Sequence, residues 1–163
     1  MTVSTRIAVM REGRIAQLGE PREVYEAPQT RYVAEFIGDV NVLEGAAEAG
    51  AATLALTCGG RASLPGPAAG GAMAVAIRPE KVSIARAPQG ETVAAAARDD
   101  RLAGVVEDIA YLGDISVFHV RLADGARVKA TRTNRRRAGA DEITWDDPVE
   151  LAWDPSAVVP LAD

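Results

Sequence analysis

The chain has 163 residues, a net charge of −5, 48% hydrophobic residues and a mean hydropathy near zero. That length allows one good core, or a small domain with an appendage, and the second is expected here. No run of about 18 apolar residues is present to cross a bilayer as a helix, and one cysteine, Cys58, excludes an internal disulfide.

The first 38 residues read as strand, strand, helix, helix. Two apolar-rich runs, Ile7 to Met10 and Arg14 to Leu18, flank Arg11-Glu12-Gly13. A three-residue loop ending in glycine suits a hairpin with a type I turn and a G1 bulge. Pro21 sits at a favoured first helical position and Pro28 ends a short helix over Arg22 to Ala27. Thr30 caps a second helix from Arg31 to about Ile37, with Tyr32, Val33, Phe36 and Ile37 on one face and Gly38 as its stop.

Beyond Gly38 the pattern turns to β. Val40 to Glu44 and Thr53 to Thr57 alternate and form two paired strands. Cys58 to Gly71 is rich in glycine and proline and reads as a loop or irregular edge. Ala72 to Ile77 and Val82 to Ala85 are short strands around Pro79, and Pro88 to Arg101 reads as a mobile connection. From Gly104 the alternation sharpens. A two-residue Asp124-Gly125 turn would set Leu122 opposite Arg127 and mix the faces, so the expected loop is Ala123-Asp124-Gly125. That register pairs Leu122 with Ala126, Val120 with Val128 and Phe118 with Ala130, and puts His119 opposite Lys129. Pro148 to Trp153 and Val158 to Leu161 close the fold, with Trp145 and Trp153 covering barrel ends or an interface. Short strands, glycine bends and little helix indicate a mainly β fold, an OB-like antiparallel barrel preceded by the hairpin and two helices.

Sites for chemistry are sparse. No Gly-Lys pair offers a phosphate-binding loop, and no G-x-S-x-G, H-E-x-x-H or C-x-x-C spacing occurs. His119, beside Arg121 and Lys129, lacks a carboxylate or thiolate partner and reads as an exposed strand residue. Cys58 reads as small filler. The adjacent carboxylates Asp99-Asp100, Asp141-Glu142 and Asp146-Asp147 read as solvated turns. Arg132 to Arg137 is the one basic cluster, but an acidic chain with two Trp, three Tyr and two Phe is poorly equipped to stack on nucleic acid. No catalytic, cofactor-binding or metal residue is expected.

The stretch MTVSTRIAVMREGRIAQLGEPREVYEAPQTRYVAEFIGDVNVLEG resembles the end of the ATPase subunit of a bacterial ABC importer of the spermidine/putrescine (polyamine) type. The pieces AIRPEKVSI, GVVEDIAYLGD and VELAWDPSAVVPL resemble the C-terminal TOBE domain of that family. Two departures stand out: Thr5 replaces an acidic residue, and Glu20 replaces the Thr or Ser that would cap the first helix, at a cost of about 1 kcal/mol. The resemblance implies that residues 1–38 are the remnant of an ATPase domain and residues 39–163 a TOBE regulatory domain. It further implies a homodimer on the cytoplasmic face of the membrane, permease subunits and a solute-binding protein as partners, and ATP and magnesium as cofactors of the parent subunit rather than of this segment. Nucleic acid is not an expected partner. The alternatives are an iron or other-solute importer subunit, or a barrel that binds an oxyanion through backbone N–H groups around Arg78 to Glu80 and the Gly59-Gly60 loop.

Overall fold

The computed structural model describes residues 4–87, 99–134 and 142–162. Strands β1 (Ile7–Arg11) and β2 (Arg14–Gly19) form a hairpin, followed by helices α1 (Pro21–Glu26) and α2 (Arg31–Ile37). The hairpin loop is two residues, not three: Arg11 pairs with Arg14, and Glu12 and Gly13 both have positive φ, 52° and 77°. That backbone matches the right-handed twist of the flanking strands. The irregularity falls instead between Val9 and Met10, which sets Met10 opposite Ile15.

Both helices form where the sequence places them, with different ends. Thr30 Oγ1 accepts from the Val33 N–H at 3.3 Å, as a cap should. At α1 the Glu23 carboxylate accepts from the Glu20 N–H at 3.3 Å, so a glutamate three residues in supports the start that Glu20 was expected to weaken. Gly38 is extended, with φ 167°, and is not a left-handed helix stop. Val33 and Ala34 are the buried residues of α2, whereas Phe36 is 64% exposed. Phe36 stacks on Tyr32 at 5.8 Å instead of entering the core.

The remaining strands are β3 (Asn41–Ala47), β4 (Thr53–Leu56), β5 (Arg61–Ser63), β6 (Gly71–Ile77), β7 (Val82–Arg86), β8 (Arg101–Tyr111), β9 (Ile115–Leu122), β10 (Arg127–Thr133), β11 (Pro148–Trp153) and β12 (Val159–Leu161). They make two five-stranded curled sheets, ordered β10-β9-β8-β11-β7 and β12-β6-β3-β4-β5. The fold is mainly β and OB-like. The β9–β10 register is the expected one: Val128 pairs with Val120, Lys129 with His119 and Ala130 with Phe118.

One core joins the sheets, with Leu43, Leu54, Val75 and Ile77 from one meeting Val106, Phe118, Val120 and Leu151 from the other. The alternation of alanine with larger residues in β6 follows from its two buried faces. Val75 and Ile77 enter that core, while Ala74 and Ala76 meet Ala34 of α2 and Leu161. Small residues there let the helix lie close. Val24 and Val33 pack on Val9 of the hairpin, and Gln17 fixes the same joint, donating to the Ala27 carbonyl at 3.0 Å and accepting from the Gln29 N–H at 2.9 Å.

The string around Asp99 and Asp100 departs from the expected connection. Residues 88–98 lie outside the described segments, but Arg101 already belongs to β8 and Asp99 bridges to Arg61. Asp100 is 9% exposed, not a solvated turn residue. Its carboxylate accepts from the Ser63 N–H at 2.8 Å, the Ser63 hydroxyl at 2.6 Å and the Trp153 indole at 3.0 Å. A buried carboxylate is held by donors, and three are supplied from two strands in different sheets.

Candidate functional site

Among the described residues, a side chain with four hydrogen bonds lies where β6 ends. Pro79 forces Arg78 into an extended conformation, φ −70° and ψ 140°, and opens a short 3-10 turn over Pro79–Lys81. The Arg78 side chain therefore runs beneath the two helices and is 7% exposed. Its Nη1 donates to the carbonyls of Ala34 at 3.1 Å, Gly38 at 3.1 Å and Asp39 at 3.0 Å, and its Nη2 to that of Tyr25 at 3.0 Å. These are carbonyls from the last turns of α1 and α2 and the chain just after. A guanidinium here completes helix ends that a left-handed glycine finishes elsewhere, and its charge suits the negative ends of both helices.

Tyr25 roofs the same site. Its ring lies 4.1 Å from the Arg78 guanidinium carbon, and its hydroxyl donates to Glu80 Oε1 at 2.7 Å. Burial pushes the phenol above its ordinary pKa, aided by the bond to Glu80 and its charge and opposed by Arg78. Two grooves flank this joint. One, of about 460 Å³, is lined by Tyr25, Glu26, Lys81, Asp154 and Ser156 among others. Asp154 is occupied there: it accepts from the Ser156 hydroxyl at 2.6 Å and N–H at 2.9 Å, which lowers its pKa. The second groove, of about 700 Å³, runs past Glu80, Leu112, Val117 and Thr131.

A second polar joint ties the sheets together. Asn41 is 5% exposed; its amide donates to the Lys129 carbonyl at 2.8 Å and accepts from the Lys129 N–H at 2.7 Å. The side chain thus pairs with β10 as a neighbouring strand residue would. Lys129 Nζ meets Asp39 at 2.7 Å.

Other singled-out residues lie elsewhere. His119 is half-buried on β9 and has Asp108 as its register partner on β8, a carboxylate the sequence reading lacked. Cys58 is half-buried against the main core, and burial, then the charge of Asp124, raises its thiol pKa. Arg132 lies over the Phe118 ring at 5.1 Å, while Arg135 to Arg137 and Asp141 fall outside the described residues. Asp147 accepts from Thr144 and Arg86, which lowers its pKa. The Gly59-Gly60 loop lines neither groove, so it does not join Arg78 to Glu80 in a common cradle. Among the described residues no cluster of three or more His, Cys, Asp or Glu could hold a metal ion. No described helix is long and apolar enough to cross a membrane.

The TOBE domain family matches residues 75–161, from the middle of β6, just before the Arg78 turn, to the end of β12. The chain belongs to the TOBE domain family. Over 99% of its length this TOBE protein is 40% identical to the putrescine transport ATP-binding protein PotG of Escherichia coli, of which it covers 43%. It is also 40% identical, over 94% of its length, to the spermidine/putrescine import ATP-binding protein PotA of Rubrobacter xylanophilus, covering 40% of that protein. The chain therefore spans about two fifths of the length of these relatives. Among solved structures, the cytoplasmic molybdate-binding protein ModG shares the fold, with a TM-score of 0.57 at 17% identity over 74% of this chain and 94% of that one.

Proposed function

We propose that the chain is the C-terminal module of the ATP-binding subunit of an ABC importer for polyamines. Residues 1–38 complete the ATP-binding domain and residues 39–163 form a TOBE domain that regulates and dimerises the subunit. The observation that carries this reading is the 40% identity to PotG, which runs through the hairpin and helices as well as the barrel. The hairpin supports it: Met10, Ile15 and Leu18 are 55%, 58% and 46% exposed, an apolar face that suits cover by further ATP-binding domain. In this reading ATP and magnesium bind the whole subunit, a second copy and two permease subunits are its partners, and a solute-binding protein supplies the polyamine on the far side of the membrane. The subunit sits at the cytoplasmic face.

Disrupting the coding sequence in its own cells should lower uptake of radiolabelled putrescine or spermidine, with recovery on complementation. Unchanged uptake of both would overturn the polyamine assignment. The likeness to ModG favours a second reading, an oxyanion-binding barrel. Arg78 argues against it, because its guanidinium is already committed to four carbonyls. Calorimetric titration with molybdate and sulfate should give no heat.

A further inference from the structure

We propose that Arg78 is a latch that makes the segment 21–39 and the barrel move as one body, so that displacement of α1 and α2 is felt in the β sheets chiefly through this guanidinium. Four acceptors on one buried fork give the link its character. The Tyr25, Ala34, Gly38 and Asp39 carbonyls come from both helices and the chain beyond them, while the donor stands at the end of β6, whose Val75 and Ile77 lie in the main core. Hydrogen bonds weaken steeply with angle, so a small shift of the helices would strain several of these bonds together. The segment is then either seated or released, with little between.

The other polar links across this boundary are weaker in kind. Tyr25 to Glu80, Arg31 to Glu44 and Lys129 to Asp39 each join a half-buried side chain to an exposed carboxylate, where water competes. The Ala162 N–H donates to the Gln29 carbonyl at 2.9 Å, an exposed link just beyond a three-residue strand. The apolar part of the contact is Ala34, Ala74, Ala76 and Leu161, with Val40, Val42 and Val159 packed against them; such burial is non-directional and does not fix the angle of the helices as the fork does. Arg78 also cannot be exchanged for a simple charge, because a lysine offers one nitrogen where these carbonyls need a planar fork.

The use of this latch to carry ATP-driven movement rests on the importer reading; the latch itself does not. Its test is a distance measurement on this chain, with Cys58→Ala as background and spin labels at Glu35→Cys on α2 and Ala123→Cys in the β9–β10 loop, both exposed positions. With Arg78 the distance distribution should be single and narrow. Arg78→Met should broaden it and Arg78→Lys should give an intermediate width, while amide protection in β8 to β10 stays unchanged. A broad distribution with Arg78 present, or a narrow one in Arg78→Met, would overturn the proposal. Hydrogen exchange of the unsubstituted chain gives a readout that needs no variant. The Ala27 and Ala34 amides, which donate to Glu23 and Thr30, should exchange with the same urea dependence as Val128 in the barrel. A separate, smaller opening for those two amides would refute the latch. Loss of the polyamine assignment in the uptake assay would leave these results standing, and a failed latch would leave the uptake result standing.

Discussion

Besides Gln17 at the hairpin, three buried polar residues tie distant parts of the chain together: Arg78, Asn41 and Asp100. Each was legible as a letter in the sequence and not as a role, because its partners lie 39 to 53, 88 and 37 to 53 positions away. The single local clue was Pro79, which fixes the backbone of Arg78 but not the destination of its side chain. Asp100 looked like half of a solvated acidic pair, since nothing nearby announces the Ser63 and Trp153 donors. Asp100→Ala strands those donors in a nearly dry site and should cost about 2–4 kcal/mol in urea unfolding, with Asp100→Asn less damaging. Cys58 gives a pH-dependent check. Its thiol pKa is raised in the folded state, so its contribution is fully present below the unfolded thiol value and is lost as pH rises through the folded one. Stability should decline on the alkaline side, and Cys58→Ala should flatten that limb of the pH profile. Alkylation by iodoacetamide at neutral pH should also run more slowly than for a free thiol.

At the scale of elements, what the sequence made legible was whatever a buried face dictates. The β9–β10 register followed from keeping Phe118, Val120 and Leu122 on one side, and the structure has it. The loop of the first hairpin is one residue shorter than its glycine suggests, because the hairpin's outward face is apolar too. Alternation could not choose between loops of two and three residues, and Glu12 gave no sign that it takes a left-handed φ. Gly38 likewise resembles a helix stop, but it is extended, and the Ala34 carbonyl at that helix end is taken by Arg78. Elsewhere glycine is required by crowding. A Cβ on Gly45 would lie 2.3 Å from the Ala55 carbonyl oxygen, so Gly45→Ala must push β3 and β4 apart. That change should cost about 2–3 kcal/mol by thermal melting, while Gly66→Ala, in open space, should be near neutral.

The described residues form two curled sheets around one core, with α2 seated on the outer face of β6 and the hairpin packed on the two helices. The hairpin carries one exposed apolar face, where Met10, Ile15 and Leu18 point outward from a sheet of only two strands. Such a surface with free edges favours self-association. Sedimentation should show mass rising with concentration, and Met10→Lys with Ile15→Lys should return the chain to a monomer without lowering its melting temperature. An unchanged sedimentation profile in that double variant would move the contact elsewhere.

The seam between β3 and β10 is closed by the carboxamide of Asn41, and a carboxamide is a group that ages. Hydrolysis to the acid would replace the donor facing the Lys129 carbonyl with an acceptor, adding negative charge where two oxygens then face each other. The Val42 backbone nitrogen must first attack the side-chain carbonyl and expel ammonia, and water then opens the imide, so the extended strand has to come loose before this can happen. The slow appearance of a more acidic form during storage would therefore time the breathing of the barrel, recording in a chemical scar how often the two sheets part.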